Sequence, residues 1–321
     1  MKTLIEAQSA HMEPSILEAQ LHQQRYLLVE DTQARILTHC ASISWMYALF
    51  EQFCEAILGD WIDFRSKGCL FSDLPEKMQE GYKSGLIMIL SNLSNPRYGH
   101  LSENNLIANY NRALNNERGF TLTPECLTHH KNNLRWPDLL EIFGRCGIGD
   151  LEGWAANHPL LTDYFDSPRK IVERLIRKLS VFIQYRNEAA HGKIDVDQIL
   201  GLEDLEDYAN FLIAVCAVID ELVRKHKLQR LDSMEVVGSL GSVSESLSNH
   251  IMVGTIEGVS IKVGDYLYLL GERRCVQRQI LSLQLSGVEQ VSLVIAKPTE
   301  VGIKLDGPVV NRARIYRAPH L

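Results

Sequence analysis

The hydrophobic periodicity of this 321-residue chain changes once, and that change limits its possible folds more than any other feature. From about Glu13 to Leu228 apolar residues recur every three to four positions, as on amphipathic helices. Tyr47, Phe50, Cys54, Ile57 and Trp61, for instance, draw one stripe along SWMYALFEQFCEAILGDW. After Arg230 the apolar runs shorten and are broken by glycine, proline and acidic turns, which reads as strands. The expected architecture is multidomain: an all-α helical bundle over residues 1–230, a Ser/Gly-rich linker over 231–250, and a small all-β barrel over 251–321.

Helix starts are marked locally. Leu74-Pro75 precedes EKMQEGYKSGLIMIL, Ser102 precedes ENNLIANYNRAL, Trp136-Pro137 precedes DLLEIF, and Ser167-Pro168 precedes RKIVERLIRKLSVFIQYR. Proline at a first helical position sacrifices no internal hydrogen bond. The last helix is expected over about Leu202 to Lys227. The net charge is -7, and residues 231–321 hold nine basic and nine acidic residues, so the helical region carries the whole deficit. That balance excludes a generally basic nucleic-acid coat and leaves only local basic clusters. No apolar run reaches the roughly 20 residues of a membrane span, and the first residues lack a signal core, so a cytoplasmic protein without membrane contact is expected. The seven cysteines are odd in number and set among apolar residues, as reduced core thiols would be.

The segment QYRNEAAHG carries the chemistry. Leu175, Leu179, Phe182 and Arg186 follow one helical stripe, so a charge arrives where apolar side chains are expected. Such a charge needs a partner or a wet cleft. Arg186 and His191 lie five residues apart, roughly 140° around an ideal helix, but Gly192 marks a helix C-terminus, which frees His191 from the helix face. Asn187 and His191, four apart, can face the same way. An arginine fork binds phosphate and a histidine exchanges protons near neutral pH, which together suffice to cleave RNA without metal. Spacing alone is a weak pattern and favours the plainer arrangement, an arginine paired inside a bundle, for instance with Glu51, and a surface histidine beside a helix cap.

RNEAAHG, near the end of one helix and ahead of another long one, resembles the HEPN superfamily, whose active-site signature is R-x4-6-H with a polar residue after the arginine. Arg186, Asn187 and His191 match the three positions. The resemblance extends to HCASISWMYALFEQFCEAI and NLRWPDLLEIFGRCGI, and so covers about residues 30–228. It implies a metal-independent, cofactor-free endoribonuclease, usually dimeric, with two such motifs facing one cleft. It also implies an acidic supporting residue, for which Glu51 is the matching position. The expected products are a 2′,3′-cyclic phosphate and a 5′-OH, and the implied setting is a toxin or antiphage effector acting on tRNA, rRNA or mRNA. The alternative is a catalytically silent adaptor that binds RNA or a partner protein and docks on the translation machinery.

HIMVGTIEGVSIKVGDYLYLL resembles the opening of the second-domain barrel of translation elongation factors such as elongation factor Tu, with Val253-Gly254, Glu257-Gly258 and Ile261 to Asp265 in the same order. No G-x-x-x-x-G-K-[ST] loop accompanies it, so no GTPase is implied. Arg312, Arg314 and Arg317 near the end form a candidate basic patch for RNA or ribosome contact. Three weaker patterns read as structural. Cys126, His129 and His130 lack a second ligand cluster for zinc, Gly238 to Gly241 has GXXG form but lies in the linker, and Cys146 has no histidine partner. Lys170, Arg174 and Arg177 share a face roughly opposite Arg186 and read as solvated.

Overall fold

The expected stripe Tyr47, Phe50, Cys54, Ile57 and Trp61 is buried along one long helix, α1 (Thr32–Ser66). The computed structural model describes residues 32–194 and 198–318, so the periodicity read over Glu13 to Asp31 lies outside the described residues. Pro75 and Ser102 stand at the caps of α2 (Glu76–Leu90) and α3 (Glu103–Leu114). A short α4 (Glu125–Thr128) leads to α5 (Trp136–Arg145), α6 (Leu151–Ala156) and α7 (Pro159–Tyr164). Two long helices follow, α8 (Ile171–Ala190) and α9 (Leu202–Ser233), making nine among the described residues. The start of α8 falls later than Ser167-Pro168 implies, because Lys170 takes a left-handed φ of 54° and the regular helix begins only after it.

α1 packs along α8, while α2 packs on α4 and α5. The α2–α4 approach depends on Gly85, where a Cβ would lie 1.6 Å from the Cys126 carbonyl oxygen. Gly85 thereby sets how closely the segment after α4 is laid against the bundle. Leu175, Leu179, Phe182 and Ile183 of α8 are wholly buried, as their spacing requires. Six cysteines are buried and Cys40 is half-buried, all as free thiols.

The β-unit contains β1 (Ser239–Ser248), β2 (Ile251–Ile256), β3 (Val259–Lys262), β4 (Tyr266–Leu270), β5 (Cys275–Leu285), β6 (Val288–Gln290), β7 (Ser292–Ile295), β8 (Thr299–Leu305) and β9 (Arg314–Tyr316). The antiparallel order β4-β9-β1-β2-β8-β5 closes by pairing β4 with β5, giving a six-stranded barrel. β6 extends β5 as a hairpin, and β3 with β7 forms a separate pair. Met252, Leu267, Leu269, Ile280, Ile303 and Leu305 fill its core. Gly264 and Asp265 form the tight turn their types imply, with φ +92° at Gly264 and Lys262 N–H bonded to Asp265 Oδ2 at 3.1 Å.

The linker expected over 231–250 is corrected. Much of it is β1, which sits between β2 and β9 with Val243 as its buried residue. Its serines are mostly exposed, so backbone pairing rather than side-chain burial holds the strand. The boundary moves as well, since the chain divides into two compact units, Met1–Ile219 and Asp220–Leu321. The end of α9 therefore belongs with the barrel. Glu221 binds Arg274 and accepts from Cys275 N–H at 2.9 Å, while Arg224 donates to the Cys275 carbonyl at 2.8 Å.

Candidate active site

Arg186 lies on the last turns of α8, where the buried stripe Leu175, Leu179, Phe182 points it into the helical unit rather than outward. Its guanidinium is stacked 4.7 Å from the centroid of the Tyr47 ring on α1. Nη1 donates to Asn133 Oδ1 at 3.3 Å and to Asn187 Oδ1 at 3.2 Å. Asn133 Nδ2 donates to the same Asn187 oxygen at 2.7 Å. Nε of Arg186 is buried with no hydrogen-bond partner among the described residues. The charge thus rests on a ring face and two neutral amides, and among the described residues it forms no ion pair.

Glu51, one turn beyond Tyr47, faces His130 instead, at 3.3 Å. This corrects the pairing of Arg186 with Glu51 that spacing allowed. His130 Nε2 also lies 3.3 Å from Glu55 and 3.1 Å from Arg97 Nη2, and Arg97 is ion-paired with Glu55. Burial works to raise the Glu55 pKa, but the His130 bond and the Arg97 charge outweigh it and hold the carboxyl below its usual range. Burial, reinforced by the Glu51 charge, raises the Tyr47 phenol, against which Leu134 N–H and Arg186 act more weakly. A cation could be held by Glu51, Glu55 and His130, whose ligand atoms all lie within 4.8 Å of one another. The Arg97 guanidinium already supplies positive charge to that cluster. Beside it opens a cleft of about 380 Å³ between Gln52, Glu55, Arg97, His100 and Thr128.

His191 is the C-cap of α8 and is exposed. Gly192 follows with φ +64°, its N–H bonds the Ala189 carbonyl at 3.2 Å, and Lys193 N–H bonds that of Glu188 at 3.0 Å. This glycine-terminated cap is the one the sequence implies, and it turns the chain sharply at His191. The histidine ring has no side-chain partner among the described residues. Arg186, Asn187 and Tyr47 are thus brought together. Glu51 stands one helical turn from Tyr47, and His191 caps the same helix as Arg186.

Residues 15–225 match the RiboL-PSP-HEPN family. The chain belongs to that family. The match covers the three motif residues Arg186, Asn187 and His191, Glu51, and the segment that carries His130 and Asn133. No curated protein matches the chain. HEPN domains are often nucleases and generally bind RNA.

Two residues of this cluster, His130 and Asn133, leave little trace in the sequence. In the sequence His130 stands in a C-x2-H-H pattern with Cys126 and His129 that reads as structural, and nothing in that pattern points to Glu51. Cys126 is buried and its thiol pushed up to about 12, chiefly by burial, while His129 Nε2 stands 2.8 Å from Arg145. Asn133 gave no signal, because one polar residue in a loop has no periodicity. The available clue was proximity to Trp136-Pro137, which fixes where that loop ends. On the face opposite Arg186, Lys170 pairs with Glu173 at 2.9 Å and Arg174 stacks on Phe165 at 4.7 Å, while Arg177 is exposed.

The three arginines of the candidate basic patch do not all lie on one strand. β9 covers only Arg314–Tyr316, Arg312 precedes it with φ 54°, and Arg317 follows it. Arg314 faces Asp232 at 3.8 Å and Arg317 pairs with Asp265 at 3.3 Å. No helix among the described residues is long and apolar enough to cross a membrane.

Proposed function

We propose that the helical unit is an endoribonuclease that needs no metal ion, with Arg186 binding the scissile phosphate and His191 moving the proton. The observation that supports it best is the neutral company of Arg186. A guanidinium held by Tyr47, Asn133 and Asn187 keeps its charge for an anionic ligand, whereas one paired to a carboxylate inside the bundle would not. In this reading one His191 takes the proton of a ribose 2′-OH, and the 2′-oxygen attacks phosphorus. The bond to the 5′-oxygen breaks, and that oxygen receives a proton from a second imidazolium. The products are a 2′,3′-cyclic phosphate and a 5′-OH. Arg186 stabilises the charge that develops on the phosphoryl oxygens, Asn187 orients it, and Glu51 supports the site through His130.

One chain supplies one His191, so the acid and the base come from two copies in a homodimer. Arg312, Arg314 and Arg317 of the barrel assist by contacting RNA or the ribosome, in the setting of a toxin or antiphage effector. The test is cleavage of a short RNA by the full chain in excess EDTA, with cyclic-phosphate ends detected on the product. His191→Ala and Arg186→Ala should each lower the rate by about 10² to 10⁴ with the melting temperature unchanged. Mixed dimers of the parent chain with His191→Ala hold a single His191 imidazole and should cleave far more slowly than the parent dimer. Strict dependence on an added divalent ion, or full activity in both variants, would overturn the reading and place the chemistry elsewhere, whereas no cleavage by the parent chain would favour a silent adaptor.

A further inference from the structure

Asn133 touches both residues of the motif that the fold brings together. It accepts from Arg186 through Oδ1 at 3.3 Å and donates through Nδ2 to Asn187 Oδ1 at 2.7 Å, and that oxygen also accepts from Arg186 at 3.2 Å. The three side chains close a triangle of hydrogen bonds in which Arg186 Nη1 and Asn133 Nδ2 are the donors and the two amide oxygens the acceptors. Turning the Asn133 amide over would set its NH₂ against the guanidinium and its oxygen against the Asn187 oxygen. A primary amide suits this place because it offers an acceptor and a donor side by side and carries no charge. A carboxylate would accept from Arg186 but would neutralise it, and could not donate to Asn187.

The backbone that carries Asn133 is pinned on both sides. After it, Leu134 N–H donates to Tyr47 Oη at 2.8 Å, and the Tyr47 ring is the face on which Arg186 is stacked. Before it, His130 Nδ1 donates to the Asn132 carbonyl at 2.6 Å. That bond occupies Nδ1 and leaves Nε2 facing Glu51, Glu55 and Arg97. The His130 side chain is only 6% exposed, so it acts on this loop rather than on a substrate. The loop therefore reads as a template laid across α1 and α8.

We propose that Asn133 is a positioning residue of the Arg186 site. It aims the guanidinium without neutralising it, and His130, anchored by Glu51, holds the loop that presents it. The proposal rests on the reading of Arg186 as the phosphate-binding group. It adds a residue far from the R-x4-H motif and a reason for its chemistry. Misaiming a charged group by about 1 Å costs on the order of 10²-fold in rate, which sets the expected size of the effect.

The experiment is steady-state cleavage of a short single-stranded RNA by full-length Asn133→Ala, Asn133→Asp, Arg186→Ala and the Arg186→Ala/Asn133→Ala double variant. Melting temperatures are measured alongside, together with binding of the same RNA carrying 2′-O-methyl groups. Asn133→Ala should lower kcat by about 10 to 100-fold with KM near wild type. Asn133→Asp, close in shape, should weaken binding of the uncleavable RNA by roughly 10-fold, because its carboxylate occupies Arg186. This variant keeps the test open if alanine unfolds the chain. The double variant should be no worse than Arg186→Ala alone, since Asn133 acts through Arg186. Wild-type rates and binding in both Asn133 variants, with Arg186→Ala impaired, would overturn the positioning role alone. Additive losses in the double variant would overturn it also, by giving Asn133 a separate effect. Full activity in Arg186→Ala would remove the underlying reading, and this proposal with it.

Discussion

Arg186 is held by geometry rather than by opposite charge, and a lysine cannot reproduce that arrangement. Stacking on Tyr47 and the bonds to Asn133 and Asn187 depend on a planar fork, while an ammonium is a compact, strongly hydrated charge. Arg186→Lys is therefore expected to lose about 10²-fold in RNA cleavage, nearly as much as alanine. The check is kcat of the two variants side by side, and a lysine enzyme within twofold of wild type would show that charge alone suffices. The motif residues were legible in sequence because Arg186, Asn187 and His191 share one helix and its cap. The ion partner of Glu51 and the contacts of Asn133 were not, since His130 and Asn133 arrive from a loop whose contacts depend on how α2 and α4 meet at Gly85.

At the scale of elements, α1 and α8 are joined by a buried histidine. His39 is 6% exposed, its Nε2 lies 2.6 Å from Tyr185 Oη, and Tyr185 donates to the Gln198 carbonyl at 2.7 Å. The contact ties both helices to the chain beyond the His191 turn. Burial lowers the His39 pKa from 6.5 to about 4, so between those values the unfolded chain binds a proton that the fold does not. Its contribution is fully present above pH 6.5 and is lost as pH falls toward 4, by as much as about 3 kcal/mol. Urea unfolding at pH 7 and 4.5 should show a smaller acid loss for His39→Gln than for the parent chain. Equal losses would place the acid sensitivity elsewhere. Element starts were readable where a proline or serine marks the first turn, as at Pro75 and Ser102. β1 was missed because its sequence is mostly serine and glycine, and a strand held by pairing on both sides needs little apolar alternation.

The whole molecule divides inside α9 and not at the glycine-rich stretch that composition favoured. Asp220 and Glu221 are buried at 4% and 5% exposure, and Glu221 accepts two bonds from Arg274 Nε at 3.0 and 2.9 Å besides the Cys275 N–H. Arg224 is ion-paired with Asp220 and caps the Cys275 carbonyl. Further along, Asp232 accepts from Tyr316 at 3.2 Å, within the barrel's own unit. A fragment beginning at Leu231 would keep every strand but strip Arg274 of its carboxylate and Cys275 of both backbone partners. Breaking a buried pair from one side costs about 3–5 kcal/mol, which is comparable with the whole stability of a small domain. A fragment beginning at Val218 retains those groups and is expected to unfold in one cooperative transition, with dispersed amide resonances. The Leu231 fragment should melt far lower or lack a transition. Equal melting temperatures for the two would show that the helix end is a passenger on the barrel and that the sequence-based boundary at 230 marks the independently stable unit.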